Sequence, residues 1–230
     1  MNPTHRAQHF VEQLSLISLP DVFNPYAEVC QASDHADAPA IRRHNLETAL
    51  SHAITLRVTS IWIAQDLGYR GGRRTGLALT DEAHLPHHGQ MLNVPAFQRA
   101  THGPPVSERT ATVIWHALQS INQPVFLWNV FPFHPHLPED PFSNRCHKTA
   151  ERALGLHFLQ LLLEALPPSS IVTIGEKASE ALRTCSIATR PVRHPSYGGQ
   201  RSFLESIATI YSCNIPSLRQ TYKGESLSFV

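Results

Sequence analysis

Cysteine is scarce and scattered: Cys30, Cys146, Cys185 and Cys213 are the only four, and no two lie close together. That spacing gives no disulfide framework, no zinc ribbon and no Cys-ligated iron–sulfur cluster, so reduced, mostly buried thiols are expected. Long apolar runs are missing too. No stretch approaches the roughly 20 residues needed to span a bilayer, and residues 1–18 lack the basic-then-apolar order of a secretory signal. A cytoplasmic protein with no membrane partner is therefore expected, working as a monomer. Charge is also thin. Asp, Glu, Lys and Arg make up 16% of the chain and the formal net charge is +1. There is no global nucleic-acid signature, and a basic patch must be local if DNA is the partner.

What is present is enough apolar material for one large core: 42% of the 230 residues are hydrophobic, and a chain of this length need not be divided. Apolar spacing predicts helices over 7–16, 39–54, 108–121, 147–166, 177–184 and 203–211. Pro39 stands at the start of the second, and Pro167-Pro168 stops the fourth. Short apolar runs predict strands over 59–64, 124–129, 170–174 and 188–193. Residues 22–26 read as a turn, since Pro25 forbids a regular element. Residues 81–105 show little periodicity and read as an irregular excursion. Strands alternating with helices indicate an α/β fold, a single-domain α/β/α sandwich around a central, mainly parallel four-stranded sheet. Residues 1–213 form that domain in this reading, and 214–230 a polar tail.

Three polar residues follow the apolar strands. Ile61-Trp62-Ile63-Ala64 runs into Gln65-Asp66, Val125-Phe126-Leu127-Trp128 into Asn129, and Pro191-Val192-Arg193 into His194-Pro195-Ser196-Tyr197. In an open parallel sheet, ligands bind in the crevice beyond the carboxyl ends of the strands. Alone, Asp66 reads as a helix N-cap. Asn129 and His194 in equivalent positions favour a shared site, because a buried amide needs partners. An acid, an amide and an imidazole suit hydrolysis of a base from a nucleoside. The loop Gly68-Tyr69-Arg70-Gly71-Gly72-Arg73-Arg74-Thr75-Gly76 is neither a P-loop nor a dinucleotide fingerprint. Its Arg70, Arg73 and Arg74 are candidates for DNA phosphate contact.

Ala64-Gln65-Asp66-Leu67-Gly68-Tyr69 resembles the first motif of the uracil-DNA glycosylase superfamily, especially its single-strand-selective branch. Thr75-Gly76-Leu77-Ala78-Leu79-Thr80 is similar to the base-stacking segment that follows. Asn129 falls on the uracil-reading asparagine, and His194-Pro195-Ser196 on the His-Pro-Ser motif. Val22-Phe23-Asn24-Pro25-Tyr26 also resembles an N-terminal segment of that branch. The resemblance runs in order from about Val22 to Leu204. It implies a monofunctional DNA glycosylase with Asp66 and His194 catalytic, and Gln65, Gly68, Leu79 and Asn129 around the base. Arg70, Arg73, Arg74, Ser196, Tyr197 and Arg201 would contact DNA, with no cofactor and no metal. Three departures stand out. Leu79 replaces an aromatic stacker, Gly68 replaces a tyrosine that bars a 5-methyl group, and Gly198-Gly199 follow where a leucine wedge is expected. Tyr197 or Arg201 is the substitute wedge.

In such an enzyme Asp66 would stabilise positive charge on the sugar and orient water, while His194 would donate to O2 of the departing pyrimidine. No lysine near the motifs supplies a covalent route, so simple hydrolysis is expected. The substrate the resemblance implies is uracil or a 5-substituted pyrimidine such as 5-hydroxymethyluracil, in DNA repair. The alternative is a bulky hypermodified cytosine of phage DNA, in antiviral defence. Two rivals from other classes are a metal enzyme using His84, His87, His88, His134 and His136, and a non-catalytic nucleic-acid binding module. The histidines lack the paired glutamate of a zincin.

Overall fold

The computed structural model describes residues 2–218. Helix α1 (Pro3–Ser15) is capped by Asn2, whose side chain accepts from Thr4 N at 3.1 Å, and it buries Ala7, Phe10, Val11 and Leu14. Residues 22–26 are not wholly a turn. Strand β1 (Val22–Phe23) pairs antiparallel with a later two-residue strand, and the turn follows at Asn24. Helix α2 (Ala38–Thr55) starts at its proline and carries strand β2 (Ser60–Asp66) behind it. The glycine-rich loop holds a one-turn helix, α3 (Gly72–Thr75). The supposedly irregular stretch contains a 3₁₀ turn (Glu82–His84) and helix α4 (Leu85–Leu92). Its Pro86 takes a first-turn position, where a missing N–H costs nothing, so proline there starts a helix rather than breaking one.

Helix α5 (Arg109–Leu118) leads to strand β3 (Phe126–Phe131), and β4 (His134–Pro135) is the partner of β1. Helix α6 (Thr149–Ala165), strand β5 (Ser170–Ile174), helix α7 (Glu176–Thr184), strand β6 (Arg190–Val192) and helix α8 (Gln200–Tyr211) complete the domain.

The four main strands form one parallel sheet in the order β3-β2-β5-β6. Side chains alternate across it. Ile61, Ile63, Phe126 and Trp128 join one cluster with α1, α2, α6 and α7. Trp62, Ala64, Leu127 and Val172 join the other with α5 and α8. Trp62, Trp115 and Trp128 are each buried to within 2%, and a fully buried large apolar side chain contributes about 1.5–3 kcal/mol. This is the expected three-layer α/β/α sandwich. The chain leaves β2 toward β3 and leaves β5 toward β6, in opposite directions. Between β2 and β5 lies the topological switch point, where a parallel sheet opens a crevice at its carboxyl edge.

Beyond Cys213, Ile215 and Leu218 pack against the α5/α8 cluster, and His116 Nε2 lies 2.6 Å from the carbonyl of Pro216. The expected tail is therefore packed as far as Leu218, and its remainder, 219–230, lies outside the described residues. Of the cysteines expected to be buried, only Cys30 is; Cys146 and Cys185 are exposed and Cys213 is half-buried. Among the described residues no helix is long and apolar enough to cross a membrane.

Candidate active site

A cleft of about 1560 Å³ opens at the switch point. Asp66, the last residue of β2, and His194, two residues beyond β6, both line it, as do Gln65, Gly68, Arg70, Leu79, Ser196 and Tyr197. Residues from both ends of the domain are thus delivered to one cleft by the strand order.

Asp66 is held by three groups. Gln65 Nε2 donates to its Oδ2 at 2.9 Å, the backbone N–H of His147 reaches the same oxygen at 3.4 Å, and His147 Nδ1 makes a short bond to Oδ1. Burial pushes the Asp66 carboxyl above the usual carboxylate range, and the bonds from His147 and Gln65 pull the other way without cancelling it. His147 was legible only as the start of α6. Its segment is fixed by Glu151, which accepts from Lys148 N at 2.6 Å and takes a two-pronged bond from Arg145 at 2.7 and 2.8 Å. The one sequence signal was a histidine just ahead of a helix whose third residue is an acid.

His194 is oriented by its own motif. Its Nδ1 accepts the backbone N–H of Ser196 at 3.2 Å and lies 2.7 Å from Ser196 Oγ. An acceptor at Nδ1 leaves the proton on Nε2, so the ring has one donor free to meet a ligand. Burial lowers its pKa, which keeps the imidazole neutral near neutral pH. Gly175, at φ +90°, allows the close approach: a Cβ there would meet His194 Cβ at 3.3 Å.

Asn129 is not at the end of its strand. β3 runs two residues further because Asp66 pairs with Phe131. Asn129 pairs with Ala64, a cleft residue, and shares its face of the sheet, yet is itself only 2% exposed and is not part of the open wall. Its Oδ1 is buried with no partner among the described residues.

The arginine loop divides. Arg70 is exposed at the cleft. Arg73 and Arg74, expected on DNA phosphates, are turned inward by α3. Arg73 lies 4.2 Å over the ring of Phe23 and 5.0 Å over that of Phe142, and donates to the carbonyl of Pro141. Arg74 donates to Glu82 at 3.1 Å and to Thr101 at 2.8 Å. Both are committed to the fold. Arg109 and Lys177, which the sequence did not single out, line the cleft instead. Tyr197 stands at the rim, 98% exposed on a left-handed backbone at φ +49°. Arg201, the other wedge candidate, pairs with Glu205 at 2.7 Å and is not on the cleft wall. Leu79 also takes positive φ, +54°, which costs a branched residue on the order of 1–3 kcal/mol and is typical of constrained sites.

The five histidines of the metal reading do not converge. Burial drives His88 down to about 3 and His134 to about 4, so both are neutral core residues, His88 packing on Trp115 and Phe97. Among the described residues, the donor set close enough to hold an ion is Asp66, Cys146 and His147, with ligand atoms within 4.8 Å of one another.

No protein-family model matches the chain, and no curated protein matches it. Among solved structures the fold is similar to that of wild-type SMUG2 from Pedobacter heparinus, with a TM-score of 0.65 at 15% sequence identity over 99% of this chain and 100% of that one. The architecture is thus an α/β fold shared with SMUG2.

Proposed function

We propose that this protein is a DNA glycosylase that hydrolyses the N-glycosidic bond of a flipped-out pyrimidine and leaves an abasic site. One observation carries the reading: a constrained carboxylate and an imidazole with a free Nε2–H line the same cleft, at the switch point of a fold shared with SMUG2.

A base must leave the stack before its bond can be reached, at a cost of a few kcal/mol. Tyr197, an exposed aromatic on a left-handed turn at the rim, is the side chain that would fill the gap. Arg70, Arg109 and Lys177 would bind phosphates along the cleft. As the glycosidic bond stretches, the sugar gains positive charge and the pyrimidine negative charge. Ionised Asp66, fixed by His147 and Gln65, would stabilise the first and orient water. His194 Nε2–H would donate to O2 of the leaving base. Preorganised groups of this kind are each worth about 3–4 kcal/mol. Asn129, beneath the wall beside Ala64, would read the Watson–Crick edge with an amide whose Oδ1 has no partner among the described residues. Cytoplasmic DNA containing uracil or a 5-substituted pyrimidine is the substrate this reading favours.

A second reading has its own support. Asn129 Oδ1 has no hydrogen bond among the described residues, and an amide free to turn can meet either the uracil or the cytosine edge. The cleft also exceeds the roughly 300–1,000 Å³ of ordinary ligand sites. A bulky modified cytosine of phage DNA, excised in antiviral defence, fits those two features.

The test is a panel of oligonucleotides, each carrying one uracil or modified pyrimidine, scored for alkali-labile sites. Cleavage at one of them, absent from the Asp66→Asn protein, supports hydrolysis. Base-selective binding without any abasic site would instead mark a binding module.

A further inference from the structure

Glu108 lies in this cleft, and neither the motifs nor the strand-end pattern pointed to it. It is the residue immediately before α5, the N-cap position, where a short polar side chain ordinarily accepts from the first-turn N–H groups. Glu108 makes no such cap bond. Its backbone is fixed instead: its N–H donates to Asp81 Oδ2 at 2.6 Å, and its carbonyl accepts from Thr112 N at 3.0 Å and Thr112 Oγ1 at 3.1 Å.

The carboxylate turns onto the glycine loop that follows Asp66. A Cβ at Gly68 would stand 3.3 Å from Oε1, and one at Gly71 would overlap Oε2. Glycine at these two positions makes room for the acid. The space beside Gly68, which a small residue was expected to leave open, is thus filled by a hydrogen-bond acceptor. Among the described residues this carboxylate has neither a hydrogen bond nor an ion pair. Burial and the Asp81 charge raise its pKa, with Arg70 opposing them. This half-buried acceptor faces the cleft without a donor from the protein, and the donor is expected to come from a ligand.

We propose that Glu108 is a specificity-determining residue whose carboxylate accepts a hydrogen bond from a donor on the bound base, either the exocyclic amine of a cytosine or a hydroxyl on a 5-substituent. This rests on the glycosylase reading. Carbonyl O4 of uracil and a 5-methyl group offer no donor, and both are disfavoured against a carboxylate.

The experiment compares excision of uracil, thymine, 5-hydroxymethyluracil, cytosine, 5-methylcytosine and 5-hydroxymethylcytosine by the wild-type, Glu108→Gln and Glu108→Ala proteins. Their melting curves are checked for folding. In Glu108→Ala the preference for donor-bearing bases should fall about tenfold to a hundredfold, the worth of a hydrogen bond to a charged group. Glu108→Gln, which keeps an acceptor, should fall less. Loss confined to the cytosine series identifies the amine as donor, and loss confined to the hydroxymethyl bases identifies the hydroxyl. Unchanged preferences overturn the proposal while leaving the glycosylase reading intact. Should no base be excised, that reading falls by itself, and binding of the same oligonucleotides by Asp66→Asn and Asp66→Asn/Glu108→Ala decides on Glu108. A selective loss for donor-bearing bases sustains its role, and equal binding ends it.

Discussion

Two polar regions of this protein, one buried and one lining the cleft, are built on opposite plans. Behind the glycine-rich loop, Arg42 meets Asp34 at 2.7 Å with both side chains 1% exposed, and donates to the carbonyls of Arg74 and Glu28 at 3.0 and 3.3 Å. Asp34 also accepts from Cys30 N at 2.8 Å. Glu82 accepts from Arg74, from Val106 N at 3.0 Å and from Thr101. Each charge there is matched by donors or acceptors within the chain. In the cleft the pattern is different. Asp66 is pinned yet still raised in pKa, and among the described residues Glu108 has no partner and Asn129 Oδ1, just beneath the wall, is unpaired. The first region spends its polar groups on holding loops to α2. The second leaves acceptors unmet, which costs stability and is reasonable only where a ligand supplies the missing donors.

The contrast can be broken first in the matched region. Asp34→Ala should destabilise the fold by about 3–5 kcal/mol, because it strands the Arg42 guanidinium in the interior. Urea unfolding measures this, and a loss below about 1 kcal/mol would mean the network is not what anchors the loop. Excision per folded molecule should be retained.

In the cleft the balance reverses. Asp66→Asn should lower excision by about 10²–10³-fold while leaving thermal stability intact. The wild-type rate should rise with pH as Asp66 ionises, at a midpoint above the ordinary carboxylate range because burial raises it, and then stay flat since His194 is already neutral. An acid whose pKa is raised by folding stabilises the fold at low pH and loses that contribution as pH rises through the raised value. Asp66→Asn should therefore flatten the fall in stability between acidic and neutral pH. A rate limb centred in the normal carboxylate range would contradict the burial.

Arg70 and Arg74 separate the regions along one loop. Arg70→Ala should reduce the slope of log affinity against log salt by about 1, the signature of one lost phosphate contact. Arg74→Ala should leave that slope alone and lower the melting temperature. The reverse assignment would return the inward arginine to the face proposed to meet DNA. The smallest effect is expected at Asn129. Replacing an unsatisfied amide with Leu should be neutral or stabilising by up to about 1 kcal/mol, yet should remove discrimination between uracil and cytosine.

Much of this was legible in the chain. The apolar runs that became β2, β3, β5 and β6 and the periodic faces of α2, α5, α6 and α8 follow from local pattern, and so does the layered parallel sheet. Asp66 and His194 could be found because each lies where an apolar run gives way to polar chain. Other features could not. Helix α4 was hidden by histidines and a proline that local pattern treats as breakers. Arg73 and Arg74 look like solvated loop charges until Phe23, Phe142, Glu82 and Thr101 are brought beside them from elsewhere. His147 and Glu108 carry no motif of their own, and each matters only through what it touches across the fold.

The order of residues determines which segments are strands and helices, since periodicity and proline act over a few neighbours. It also determines that an acid and a His-Pro-Ser turn follow two of those strands. Which charges are spent on internal partners and which face the cleft was decided only when α3, α5 and α6 packed against the sheet edge, because hydrogen bonding and burial depend on residues that are remote in the chain and adjacent in space.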